Sequence, residues 1–206
     1  AARESIAAGK QALEQARKIG FPVMIKAAFG GGGKGMRISY SEEEFSALFA
    51  LAQQEAVRSF GDSTMYLEKY IQDPRHVEVQ IVGDSFHNVI CLGERDCSVQ
   101  RRHQKMIEES PCTALTEEVR TQLLQTAIQA AKAVGYESVG TIEFLYDKSG
   151  QFYFMEMNTR IQVEHPVTES VTGMDLIREQ IRVAFGLPLS KTQEEIEFHG
   201  HSIECR

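Results

Sequence analysis

Three residues in the second half of the chain carry oxygen donors at spacings that suit metal chemistry. The stretch from Phe152 to Pro166 begins as an apolar strand and turns polar without a break, through Glu156-Met157-Asn158 and on to Arg160, Gln162 and Glu164. Side chains two apart on a strand share a face, so Glu156 and Asn158 point the same way. Upstream, Val139 to Tyr146 reads as a second strand, with Asp147-Lys148-Ser149-Gly150 as the turn between them. A four-residue loop sets Tyr146 opposite Gln151 and Glu143 opposite Phe154. Glu143 and Glu156 are then diagonal neighbours on one face, about 7–8 Å apart at Cα. A slip of one residue would break the arrangement.

Two carboxylates and an amide oxygen on one side of a sheet repel unless a cation sits among them. Acids on a plain solvated face belong to polar strands, whereas these interrupt apolar ones. The sharper expectation is a magnesium site, since that ion takes hard oxygen ligands and shares itself with substrate phosphates.

The elements that must position these groups are legible in order. Residues 4–19 read as a helix closed by Gly20, and Val23 to Ala27 as a short buried strand interrupted by Lys26. Gly30 to Gly35, a run holding Lys34, lies between that strand and another at residues 36–40. This context suits neither a dinucleotide fold nor a Walker A loop. It suits a flap whose bare N–H groups close over phosphates, with Lys26 facing them. Ser41 to Glu44 reads as a capping box opening a helix to Phe60, and residues 64–71 as a strand.

A boundary is placed near Tyr70, giving a small unit of residues 1–70 and a larger one of residues 71–206. In the second, residues 76–82 form a strand with Val77, Val79 and Ile81 inward and His76, Glu78 and Gln80 on the other face. Gly83-Asp84-Ser85 turns the chain into a strand over 86–92. The polar run from Glu94 to Lys105 is compatible with a solvated surface or with an anion site. Residues 116–134 form an amphipathic helix. Thr172 to Asp175 reads as a capping box before a helix ending at Gly186, and residues 200–206 as a last strand.

Composition sets bounds. The chain has 206 residues, 42% hydrophobic and 25% charged, and a formal charge of −7. That is long enough for a core, and the negative balance argues against a nucleic-acid partner. No apolar run approaches the ~20 residues that span a bilayer. Cys91, Cys97, Cys112 and Cys205 lack metal-ligand spacing and read as free thiols of a reducing cytoplasm. The missing initiator Met and the stop at Arg206 inside an expected strand suggest a piece of something larger.

The glycine run, Glu68-Lys69-Tyr70, Arg101-Arg102-His103-Gln104-Lys105 and Glu156 to Pro166, in this order, together resemble the ATP-grasp portion of biotin carboxylase. The likeness covers essentially the whole chain, and its Arg-Arg-His-Gln-Lys and Gln-Val-Glu-His-Pro segments are the specific ones. It implies an α/β ATP-grasp fold of two mostly antiparallel subdomains, the smaller acting as a lid. It also implies a ligase in which ATP and bicarbonate form carboxyphosphate, whose carbon dioxide is captured by N1 of biotin.

Carried over by position, Lys26, Gly32 and Gly33 would hold ATP phosphates. Met36, Ile71 and Leu145 would enclose adenine, with Glu68, Lys69, Tyr70 and Ile71 at its hydrogen-bonding edge. His76, Gln100 and His103 would line the ribose and phosphates. Glu143, Glu156 and Asn158 would bind magnesium or manganese. Lys105, Arg160, Gln162 and the Val163 backbone would hold bicarbonate. Glu164 would be the general base, Arg206 would stabilise the biotin enolate, and His165 would only fix its turn.

The resemblance further implies a biotin carboxyl carrier domain or protein and a carboxyltransferase as partners, a homodimeric full-length enzyme in the cytoplasm, and a setting such as fatty acid biosynthesis. The family's N-terminal domain and an Ala-Met-Lys-Met biotin-attachment motif do not occur in these residues. The fragment alone is therefore expected to turn over poorly, with biotin arriving on a separate carrier. The competing readings are another carboxyphosphate-forming ATP-grasp ligase and a nucleotide-binding module without catalysis.

Overall fold

Amphipathic helices and short antiparallel strands build two compact units, Ala1–Gln72 and Asp73–Arg206, in a computed structural model that describes residues 9–29, 35–102 and 104–206. The first holds α1 (Gly9–Ile19), β1 (Val23–Ala27), β2 (Met36–Ser39), α2 (Glu42–Phe60) and β3 (Met65–Lys69). Its sheet runs β2-β1-β3, antiparallel throughout. Phe45, Phe49, Ala52 and Ala56 recur at helical spacing on α2 and are buried with Val23, Ile25, Ala27 and Met65, which is the face a 3.6-residue period selects. The expected capping box does not form. Glu44 reaches back to the Tyr40 N–H rather than that of Ser41, and the Ser41 side chain makes no cap bond.

The second unit is a six-stranded antiparallel sheet in the order β8-β7-β4-β5-β6-β9. Its strands are β4 (Arg75–Gly83), β5 (Val89–Arg101), β6 (Gln104–Ser110), β7 (Ser138–Tyr146), β8 (Phe152–Asn158) and β9 (Ser202–Cys205). Helix α3 (Glu117–Ala133), capped by the Thr116 side chain, covers one face. There Val77, Val79, Ile81, Ile142 and Phe144 pack against Leu123, Ala127 and Ala131. The other face is divided. At one end Val82, Ile90, Leu92 and Val139 pack with Met174 and Leu176. At the other end it carries polar side chains, beside α4 (His165–Thr172) and before α5 (Leu176–Ala184). No described helix is long and apolar enough to cross a membrane.

Several expectations are corrected here. The strand expected over 86–92 starts at Val89, because the Asp84 carboxylate accepts from the N–H groups of Phe86 and Asn88 and holds a turn. The polar run from Glu94, compatible by sequence with a solvated surface or an anion site, continues β5, buried through Cys97, and from Gln104 forms β6. Thr172 does not open a helix. It ends α4, Gly173 follows in the left-handed conformation, and Asp175 caps α5 by accepting from the Arg178 N–H.

The β7–β8 register also differs. Tyr146 faces Phe152 and Phe144 faces Phe154, yet Glu143 faces Glu156 directly, with Met155 as an extra residue. A one-residue change of register would turn Glu156 to the α3 side; the bulge turns it back. The two acids share a face as expected, by a different route.

A second bulge decides what β5 presents. Val79 pairs with Glu94 but Ile81 with Cys91, so Leu92 and Gly93 together oppose Gln80. Gly93 has φ +80°, and a Cβ there would lie 2.6 Å from the Phe198 ring, so only glycine fits. Beyond the bulge the alternation is inverted. Glu94 turns to α3, where it accepts from Arg120, and Arg95 turns to the polar face.

Candidate functional site

Four strands align one row of charged residues across the polar face. Glu156 of β8 is opposite Glu143 of β7, which is opposite Glu78 of β4, which is opposite Arg95 of β5. Like charges directly opposite one another destabilise a sheet, so three adjacent glutamates need cations. Arg95, wholly buried, donates to Glu78 at 2.6 Å. The second cation is Lys105, reaching over from β6. Its ammonium donates to Glu78 at 2.5 Å, Glu143 at 3.0 Å and Glu164 at 2.7 Å. All three acceptors are nearly or wholly buried.

Glu164 comes from the loop after β8 and sits at the N-terminus of α4. Its second oxygen is 3.3 Å from Arg206, whose guanidinium also holds the buried Glu108. The result alternates in sign along Arg95, Glu78, Lys105, Glu164, Arg206 and Glu108. Gln162, also buried, donates to Glu143 at 2.9 Å, as does Asn158. His76 Nε2 lies 2.8 Å from the other Glu143 oxygen, and the Gln100 amide is 2.9 Å from His76 Nδ1.

Burial alone would push the Glu143 carboxyl up. The His76 contact and the charge of Lys105 outweigh it and bring it to about 2, from 4.5. Burial and the Lys105 hydrogen bond compete in the same way at Glu164, which ends below its ordinary value. For Lys105 the burial penalty is overcome by the Glu78 charge, and its ammonium is held above the usual range. Because both acids titrate lower folded than unfolded, their contribution is complete above pH 4.5 and lost as pH falls toward 2. For Glu143 that contribution is about 3 kcal/mol. Urea midpoints of the metal-free chain should therefore fall steeply between pH 4.5 and 3, and less steeply in Glu143→Gln.

Groups of three potential ligands occur at His76, Glu78 and Glu143 and at Glu78, Cys97 and Glu164, each within 4.8 Å. Lys105 already serves carboxylates of both as their cation. Burial, then the Glu78 charge, raises the Cys97 thiol far above its ordinary range, so it packs as a neutral group. The four cysteines are free thiols.

The structure thus gathers Lys105, Glu143, Asn158, Gln162, Glu164, Arg206, His76 and Gln100. Glu156 shares their face but is exposed. Arg160 is exposed, with its guanidinium 3.4 Å from Asn158 Oδ1 and 3.2 Å from the Ile161 carbonyl. Val163 is also exposed, and Leu145 is opposite His76 in register. His165 bonds the Gln162 carbonyl within its own turn.

In the first unit Lys26 pairs with Glu68. Lys69 donates to the Gly20 and Phe21 carbonyls, and Tyr70 packs edge-on against Tyr40. Met36 and Ile71 are half-buried. Gly32, Gly33 and His103 lie outside the described residues. Sequence reasoning missed Arg95 and Glu108. It put Glu78 on the right face without giving it a task, although its place beside His76 on that face was the available signal.

The antiparallel three-stranded unit and the larger antiparallel sheet after it are those of an ATP-grasp fold, which the chain shares with solved biotin carboxylase structures. The chain belongs to the family described as the carbamoyl-phosphate synthase L chain, ATP binding domain, which matches residues 2–192. A biotin carboxylase from a Nostoc species is 58% identical over 197 residues, 96% of this chain and 44% of that protein. The human mitochondrial propionyl-CoA carboxylase alpha chain is 53% identical over 96% of this chain and 27% of its own length. The biotin carboxylase domain of Hydrogenobacter thermophilus 2-oxoglutarate carboxylase superposes with a TM-score of 0.80 at 50% identity, covering 99% of this chain and 46% of that one. It was solved as a dimer in complex with ADP, its magnesium salt and bicarbonate. The chain thus spans under half the length of the first curated relatives it matches.

Proposed function

We propose that the protein to which this chain belongs carboxylates biotin on a carrier domain or protein, using ATP and bicarbonate through carboxyphosphate. The observation that carries this reading is the Lys105 ammonium held by Glu78, Glu143 and Glu164, with Gln162 and Arg206 in the same network. Such a site offers an anion a fixed ammonium and amide beside a carboxylate that can take its proton, once Lys105 turns one of its three N–H groups from a carboxylate to the anion. Lys105, Arg160, Gln162 and the Val163 N–H hold bicarbonate; a planar guanidinium suits a carbonate-shaped anion. Glu164, 2.7 Å from Lys105, accepts the bicarbonate proton. Its low basicity means that closeness to Lys105 and Arg160, which stabilise the resulting dianion, drives the transfer. Arg206, 3.3 Å from Glu164, stabilises the developing biotin enolate oxygen by its charge.

Glu143, Glu156 and Asn158 would hold a magnesium or manganese ion once Glu143 exchanged its present contacts with Lys105 and His76 for it. They offer only oxygen ligands, from neighbouring positions on one face, and Glu143 is a carboxylate held ionised well below neutral pH. When bound, that ion supplies charge neutralisation to nucleotide phosphates. For the nucleotide, Lys26, Gly32 and Gly33 would meet phosphates, Met36, Glu68, Lys69, Tyr70, Ile71 and Leu145 the adenine, and His76, Gln100 and His103 the ribose side. Taking a phosphate requires Lys26 to leave Glu68. A carrier, a carboxyltransferase component and a homodimer of the whole protein, working in the cytoplasm and in pathways such as fatty acid biosynthesis, belong to the same proposal.

The test is selective stimulation. In the whole protein, with bicarbonate present, ATP cleavage should rise with biotin and not with ammonium ions. Stimulation by ammonium instead would transfer the site to carbamoyl-phosphate chemistry.

A further inference from the structure

Arg95 heads the fully buried side chains by volume, yet no step above uses it. Its Nε donates to Glu78 at 2.6 Å, and Nη1 to Gln80 at 2.7 Å and Thr168 at 2.9 Å. Nη2 donates to Thr141 at 3.3 Å and to Gln162 Oε1 at 3.2 Å. Guanidinium has five N–H donors in a rigid plane, so five acceptors on β4, β7, α4 and the loop before it account for all of them.

The Gln162 contact has a directional consequence. A glutamine amide has one accepting and one donating end of nearly the same shape. With Arg95 on its oxygen, the nitrogen must face Glu143, where it donates at 2.9 Å. Turned over, the amide would set its N–H groups against a guanidinium and its oxygen against a carboxylate, two attractions becoming two repulsions. Arg95 likewise occupies one oxygen of Glu78 and leaves the other to Lys105.

We infer that Arg95 is a positioning residue of the anion pocket. It fixes Gln162 as a hydrogen-bond donor and Glu78 as the anchor of Lys105, so that both cationic and amide donors are set before the anion arrives. This rests on the reading of the site as a bicarbonate pocket. A lysine at position 95 would keep the charge for Glu78 but could not span Gln80, Thr168, Thr141 and Gln162 at once.

The experiment compares wild type, Arg95→Lys and Thr141→Val by three readouts. These are the Gln162 side-chain NH₂ resonances, identified by their loss in Gln162→Leu, 13C-bicarbonate titration, and calorimetry with Mg-ATP. For Arg95→Lys the Gln162 resonances should shift, bicarbonate affinity should fall about tenfold and Mg-ATP affinity should stay within about twofold, as for a lost supporting contact. Unchanged Gln162 resonances and bicarbonate affinity would overturn the assignment, and so would equal losses for both ligands. Should Arg95→Lys not fold, Thr141→Val decides, since it removes one of the two acceptors that hold Nη2 and loosens its aim at Gln162 without removing a charge; a smaller shift of the same resonances, with about a two- to threefold weaker bicarbonate affinity, is expected. If wild type takes up no bicarbonate, the proposed function fails, and the Gln162 resonances alone judge the positioning role.

Discussion

Replacing Lys105 with methionine should lower the stability of the second unit by about 3–5 kcal/mol at neutral pH, as breaking a buried ion pair does. The side chain volume is nearly kept, so the cost is electrostatic. Glu78 keeps Arg95, Glu143 keeps His76, Asn158 and Gln162, and Glu164 keeps Arg206. Each loses its share of the ammonium while still buried.

The pH dependence distinguishes this from a packing defect. In wild type, against the burial that raises both, Glu143 is held low by His76 and Lys105 together, and Glu164 by Lys105. Without it their folded-state values rise toward the unfolded ones, so the variant releases fewer protons on folding and loses less stability than wild type as pH falls below 4.5. Denaturant unfolding at pH 6 and pH 3.5, spanning the range between the folded and unfolded titrations of Glu143, should show the gap narrowing by about 1 kcal/mol. An equal gap at both values would mean that the ammonium is not what the three acids need. Bicarbonate binding, read at pH 7.5 where the anion is the main species, should be lost.

The second large effect separates the two acids that the proposed function uses differently. Glu164→Gln in the whole protein should reduce carboxylation by about 10²–10⁴-fold, the range for removing a general base, with Mg-ATP affinity unchanged within about twofold. Glu156→Gln should weaken Mg-ATP about tenfold, or about 1.4 kcal/mol. Glu156 lies on the exposed side of the row, so its loss should hardly affect stability. Calorimetry and carboxylation assays on both variants suffice. Loss of Mg-ATP binding in Glu164→Gln would move Glu164 from proton transfer to nucleotide binding.

Much of this was legible in the residues. The alternation of His76, Glu78 and Gln80 with Val77, Val79 and Ile81 fixes which side of β4 is polar, because a strand's period is two whatever its partners. The helical spacing of Leu123, Ala127 and Ala131 fixes the cover on the opposite face. The order of the glycine run, Lys105 and the Glu156 to Pro166 segment identifies the relatives.

The bulges were not legible. Gly93 and Met155 each add one residue and invert everything after them, and no local pattern separates an extra residue from an ordinary strand position. That inversion turns Arg95 from an apparent surface cation into the buried partner of Glu78, and it returns Glu156 to the face of Glu143.

By itself, then, the sequence determined most of the strands and helices, though not β6, α4 or the far half of β5, and which residue types they carry. Only the tertiary structure decided which charges meet. Lys105 is 27 residues from Glu78 and 59 from Glu164, and Arg206 is 98 from Glu108. Pairings over such separations are set by sheet order and bulge parity, which belong to the folded chain and not to any window along it.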